Sequence, residues 1–292
     1  MRISDVLSHD AVRALPVSFE IFPPKGDLPV DGARAVVAEL APLHPAFVSV
    51  THSAGGSGNS AKTVEVARMA KDEFGLNVMA HLTCSSESRK GIAANLAAMK
   101  AAGIENVLAL RGDIQPGSAP GDFRYAKDLI PLVAEAGFCV GAAAYPEGHI
   151  DCLDAEDNIR HLKEKQDAGA SFFVTQLFFD NDFAFRFLDD ARRAGIEVPI
   201  VFGIMPFMSK AQISRMVFMC GASLPSPIIK LLARYESDPV GLRRAGIEYA
   251  AEQLVGLAEA GVDGLHVYTM NRPDVAAAAC EALAAAGFAE CR

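Results

Sequence analysis

The chain of 292 residues is 51% hydrophobic and 22% charged with a mean hydropathy of +0.20, enough to bury a sizeable core, and an α/β barrel fills that length as one domain. Its net charge of −9 argues against a nucleic-acid surface and fits poorly with an anionic membrane. The opening MRISDVLSHDAVRALP has no basic-then-apolar leader and no run of about 18 apolar residues occurs, so a cytoplasmic protein is expected.

The first predicted strand lies in VSFEIFPPK, residues 17–25, where Glu20 sits among Phe19, Ile21 and Phe22 before two prolines end the run. A carboxylate there is costly unless it is partnered, wet or functional. Seven more apolar, β-rich runs follow: AFVSVTHS, NVMAHLTC, NVLALRGD, CVGAAAYP, FFVTQLFF, PIVFGIMP and GLHVYTMNR. Their near-continuous hydrophobicity suits parallel strands buried on both faces. Between them the spacing predicts helices, as at Ile92, Leu96 and Met99. Ala-Gly pairs ending in Gly103, Gly137, Gly169, Gly195, Gly261 and Gly287 supply left-handed helix stops.

The repeat is regular. Glu20, Thr51, His81, Asp113, Tyr145, Gln176 and Met205, each near a strand's C-terminal end, follow one another at 29 to 32 residues, the length of one strand, one helix and two loops. The 65 residues from Met205 to Met270 leave room for two helices before the last strand. Eight such units predict an α/β fold, a (β/α)8 TIM barrel, with residues 1–292 as a single domain. A doubly wound sheet would show a Gly-rich turn after its first strand, where Pro23 and Pro24 stand instead. The six cysteines, Cys84, Cys139, Cys152, Cys220, Cys280 and Cys291, include no CxxC pair and read as small apolar residues.

Such a barrel gathers its strand ends on one catalytic face. There the pattern collects Glu20, Thr51-His52, His81 to Thr83, Arg111 to Asp113, Tyr145, Gln176, Tyr268 and Asn271-Arg272. No strand end offers a lysine for Schiff-base chemistry. His81 with Asp113, or His149 with Cys152, makes a poor metal set, so no metal is expected. What remains suits a large polar heterocycle.

The runs VSFEIFPPK, FVSVTHSAG, AHLTC, LALRGD, AAYPEGH, KQDAGASFFVTQLFFD, GIMP and YTMNR occur in order from residue 17 to residue 272. Together they resemble the catalytic domain of the methylenetetrahydrofolate reductase family, without the regulatory domain of its eukaryotic members. The resemblance implies a barrel that holds FAD at the strand ends and reduces methylenetetrahydrofolate to 5-methyltetrahydrofolate with NADH or NADPH as donor. Glu20 matches the family's acid. In that role it gives a proton to a folate nitrogen, and apolar neighbours help a carboxyl keep a proton near neutrality. Asp113 matches an acidic residue near flavin and folate, where its charge favours a cationic iminium. Gln176 matches the folate-binding glutamine and Arg272 the arginine that holds the glutamate tail.

For FAD the resemblance implies Thr51, His81, Arg111, Gly112, Asp113, Tyr125, Ala126, Tyr145, His149, His161 and Lys165. Family members often carry Asn and Arg where this chain has His161 and Glu164, so Glu164 is expected to point away from the pyrophosphate. After GIMP, Lys210 stands where an aromatic often stacks on the substrates, with Phe207 as a possible substitute and a surface role the plainer reading of the lysine. SAGGSGNSAKT lacks Walker spacing and reads as a rim loop. Two alternatives stay open: a flavin subunit fed by a protein electron donor, and a folate-binding relative without turnover. A homo-oligomer is expected by analogy with the family alone.

Overall fold

The computed structural model describes residues 1–8, 15–24, 28–52, 60–114, 117, 119 and 121–288. Most of the glycine-rich stretch expected to form a rim loop lies outside the described residues, as does Cys291. Eight strands, β1 (Val17–Ile21), β2 (Val48–Val50), β3 (Val78–Thr83), β4 (Asn106–Leu110), β5 (Cys139–Ala144), β6 (Phe172–Thr175), β7 (Ile200–Ile204) and β8 (Gly264–Tyr268), close a barrel in sequence order. Every neighbouring pair is parallel, and β8 closes on β1 with Glu20 opposite Tyr268.

A short helix α1 (Ile3–Val6) puts Ile3 and Leu7 against Phe47, Met79, Leu108 and Phe172, plugging the N-terminal end of the barrel. Outside pack α2 (Asp31–Leu40), α3 (Ser60–Phe74), α4 (Arg89–Ala101), α5 (Ala126–Glu135), α6 (Ala155–Asp167) and α7 (Asn181–Arg193). Helix α4 buries Ile92, Leu96 and Met99, the predicted stripe, and all six predicted glycine stops have positive φ. Each fully buried large apolar side chain contributes about 1.5–3 kcal/mol, so these faces, not the surface ion pairs, hold the outer ring.

Three helices rather than the expected two link β7 to β8: α8 (Lys210–Cys220), α9 (Ser226–Arg234) and α10 (Pro239–Glu259). The breaks are local. Gly221 stops α8 at φ 68, Pro225 caps α9 and Pro239 opens α10. Helix α11 (Pro273–Ala285) completes the ring.

Strand alternation answers why Glu20 lies in an apolar strand. Val17, Phe19 and Ile21 face the helices and join the main core, while Ser18 and Glu20 face the barrel interior. Cys84, Cys139, Cys152 and Cys220 are free, the first two buried as expected. Cys280 departs from that reading, because it is disulfide-bonded. No helix among the described residues is long and apolar enough to cross a membrane.

Candidate active site

Parallel closure brings Glu20, Thr51, His81, Arg111, Gly112, Asp113, Tyr145, Gln176 and Arg272 to the C-terminal rim of one barrel, as expected. Glu20 is 9% exposed, and its Oε2 lies 3.6 Å from Nε2 of His81 and 3.6 Å from Nε2 of His266. These gaps exceed hydrogen-bonding distance, and the carboxyl acts on the His81 ring through space.

The two histidines are held from below by serines. Ser49 Oγ lies 2.7 Å from His81 Nε2, and Ser18 Oγ lies 2.8 Å from His266 Nδ1. Ser18 donates its single hydroxyl hydrogen to Leu265 O at 3.0 Å, so it accepts from His266 Nδ1–H. That tautomer turns Nε2 toward Glu20, and this atom is buried with no hydrogen-bond partner among the described residues.

Burial pushes His81 down to about 4, against the pull of Glu20, so its ring is neutral at physiological pH. Between pH 6.5 and about 4 the unfolded chain takes a proton that the folded ring refuses. Stability thus falls as pH falls through that window. A His81→Asn variant is expected to lose this component, read as a smaller drop in the urea midpoint from pH 7 to pH 5.

Around the rim, Arg111 Nη2 donates to Asp151 at 3.0 Å, and Arg111 O accepts from Cys84 N and Ser85 N. Asp113 is exposed and makes no ion pair among the described residues, Arg111 included; burial first and then its charge push Tyr145 and Cys220 up, whereas His149 is lowered by burial and by Arg111. Gly112 has φ +82, and a Cβ there would stand 2.9 Å from Thr83 Cβ, so only glycine lets this loop hug β3.

Tyr145 is pushed up to about 12, by burial first. His149 meets its ring edge-on at 4.8 Å, and Lys165 Nζ lies 5.2 Å from its centre while donating to Ala143 O. Burial and the nearby Arg111 bring Lys165 down to about 8. Tyr125 and Ala126 open α5, where Asp128 accepts from the Tyr125 N–H at 2.9 Å. His161 is exposed on α6, and Glu164 is engaged by Lys127 at 2.8 Å and Arg160 at 3.2 Å, which offsets its charge.

Gln176 Oε1 accepts from Leu177 N, so half of that amide is used within the chain, and Arg272 is exposed at the start of α11. Phe207 cannot take the stacking role suggested for it. It is fully buried, packed on Tyr249 beneath α10. Lys210 is exposed, 3.7 Å from Glu236.

Sequence reasoning missed Ser18, Ser49 and His266. Their signal was a polar residue every second position in S-x-E, V-S-V and L-H-V-Y, which marks the inward face of a strand. Despite the two histidines beside Glu20, no group of three or more His, Cys, Asp or Glu among the described residues is arranged to hold a metal.

Comparison with known proteins identifies the family and the fold. The family model for methylenetetrahydrofolate reductase matches residues 6–284. The chain is 35% identical over 269 residues to the 5,10-methylenetetrahydrofolate reductase of Pectobacterium carotovorum, covering 91% of this chain and 89% of that one. It is 36% identical over 280 residues to methylenetetrahydrofolate reductase 1 of Schizosaccharomyces pombe, covering 93% of this chain but 46% of the yeast protein. A solved protein of Clostridium thermocellum, described as binding two copies of 5-methyl-5,6,7,8-tetrahydrofolic acid, superposes with a TM-score of 0.67 at 13% identity, over 93% of this chain and 96% of that one, and so shares the fold. By sequence along nearly its whole length, the chain belongs to the methylenetetrahydrofolate reductase family of oxidoreductases.

Proposed function

We propose that this chain reduces 5,10-methylenetetrahydrofolate to 5-methyltetrahydrofolate, with FAD resident at the rim and a nicotinamide as electron donor. The observation that carries the reading is the buried carboxyl of Glu20 set between two histidine nitrogens at a barrel mouth.

The rim between β4 and β6 fits an anionic cofactor. Lys165 is a half-buried amine near the Arg111 guanidinium, an arrangement that burial and like charge disfavour until an anion joins it. Gly112 lets its loop lie flat against β3 at this rim, and the captured Glu164 does not oppose a pyrophosphate. Thr51, His81, Tyr145, His149 and His161 would complete the cradle with Tyr125 and Ala126. Reduced FAD supplies the hydride that the one-carbon bridge accepts.

Glu20 gives its proton to a folate nitrogen, the five-membered ring opens, and the bridge becomes a cationic iminium. His266 Nε2, 3.6 Å away, faces the carboxyl from its buried side and helps keep it in place for that transfer. Asp113 favours the developing positive charge through its own. Gln176 holds the pterin edge by the free end of its amide, and Arg272 meets the tail carboxylates.

The visible spectrum of the purified protein tests this. A flavin band that bleaches under anaerobic NADH or NADPH and returns on adding methylenetetrahydrofolate is the expected result. A colourless protein that takes up no FAD would overturn the reading, and a band indifferent to both nicotinamides would overturn the proposed donor.

A further inference from the structure

Just past β8 the backbone does something sparsely allowed. Met270 and Asn271 have φ of 56° and 55°, two successive left-handed residues neither of which is glycine. Such strain persists only where the surroundings over-determine it. Here they do. Thr269 Oγ1 donates to Glu20 O at 2.6 Å, Phe22 N–H donates to Asn271 Oδ1 at 2.7 Å, and Asn271 Nδ2 donates to Phe22 O at 3.0 Å.

The strand pairing of β1 with β8 ends at Glu20 and Tyr268. Asn271's side-chain amide then replaces the next rung of the ladder, gripping both backbone groups of Phe22. Pro23 and Pro24 follow and carry no N–H, so Phe22 is the last donor before the rim. A continued strand would have held Phe22 without strain. The left-handed pair instead ends the strand there, so that Arg272, exposed, opens α11 one peptide beyond the grip.

We infer that the Thr269–Asn271 turn is a positioning device, which clamps the strand end bearing Glu20 and fixes its separation from Arg272, so that one folate meets proton donor and tail anchor in register. The inference rests on the folate-reductase reading above and adds Asn271 and Thr269 as positioning residues for it. Neither reaches the reacting atoms; both act through Glu20 and Arg272.

The test uses the FAD-loaded protein and three substitutions, Asn271→Asp, Asn271→Gly and Asn271→Ala. Glycine relaxes the backbone but removes the amide, whereas Asp keeps the acceptor for Phe22 N–H and loses the donor. Rapid-mixing kinetics follow flavin reduction by NADH and flavin reoxidation by methylenetetrahydrofolate separately, and hydrogen exchange follows the Phe22 amide. Displacing a reacting group by about 1 Å costs roughly 100-fold. Asn271→Gly and Asn271→Ala are therefore expected to slow the folate step by about 10- to 100-fold and to speed Phe22 exchange, with the nicotinamide step unchanged. Asn271→Asp falls between them and the unaltered protein.

A folate step of normal rate in Asn271→Gly would overturn the inference, because the amide would then be dispensable. So would an equal loss in both half-reactions, which marks general support of the fold. If the unaltered protein binds FAD but never passes electrons to methylenetetrahydrofolate, the functional reading falls first and this inference with it, a result that the first two outcomes cannot mimic.

Discussion

The Glu20→Gln variant is expected to lose folate reduction by about 10²- to 10⁴-fold while its flavin still bleaches at the normal rate with the nicotinamide. The amide matches the carboxyl in size and fits the space between His81 and His266, so packing survives. What it cannot do is release a proton to a folate nitrogen. Opening of the folate ring is thus blocked before any hydride can be accepted. Reduction of FAD by the nicotinamide opens no ring and needs no acid at this position. The two half-reactions must therefore separate. The swap keeps the volume between the two rings and breaks no hydrogen bond of the carboxyl to either of them, so Tm should hold. An active, unaltered folate step in this variant would leave the buried carboxyl without its assigned task.

The barrel itself was legible because its signals are local and repeated. Glycine stops and apolar runs recur at a near-constant interval, and α4 buries the residues its periodicity marks. The rim was legible because strand ends in a parallel barrel share one face. The layer beneath was less so. Ser18, Ser49 and His266 are silent in a hydrophobicity reading because one polar residue between two apolar ones barely disturbs a strand's average. Only the inward half of the alternation carries them, and which half faces inward is fixed by closure of β8 on β1, a contact between residues some 250 positions apart, as in the 248 that separate Ser18 from His266. Phe207 failed for a related reason. An aromatic next to the GIMP strand end looks available for stacking, yet its burial depends on α10, forty residues downstream, which the sequence gives no local sign of placing there. Glu164 was the reverse case. Its opposite charges, Arg160 at i−4 and Lys127 on the preceding helix, form a network of ordinary surface chemistry that a family pattern with Arg at that position hides.

The packing of α10 on the loop after β7 sets the second large expectation, for Gly246→Ala. Alanine in mid-helix is ordinarily better than glycine by up to about 1 kcal/mol. At position 246 that gain is overwhelmed, because a Cβ would overlap the Phe207 carbonyl oxygen and stand 2.8 Å from its carbon and 2.9 Å from its ring. The obstruction is backbone, and it has nowhere to go. Pro206 restricts it on one side, Met208 N–H is bound to Gln212 Oε1 at 2.7 Å on the other, and the Phe207 ring is confined against Tyr249. Overpacking a rigid core site costs about 1–3 kcal/mol or more, so the net loss is expected near 2 kcal/mol or above, visible as a Tm lower by about 4 °C or more. Gly32→Ala supplies the opposite sign. That glycine sits exposed in α2 with nothing within 4 Å of its missing Cβ, so the same substitution should leave Tm unchanged or raise it. Paired melts of the two variants thus separate steric blockade from helix propensity. If both move the same way, the close approach of α10 to the Phe207 carbonyl is not what holds this side of the mouth. If they diverge as expected, the loop from Met205 to Ser209 owes its shape to one missing methyl group, which is why Phe207 is sealed in the core while Lys210 stands exposed beyond it.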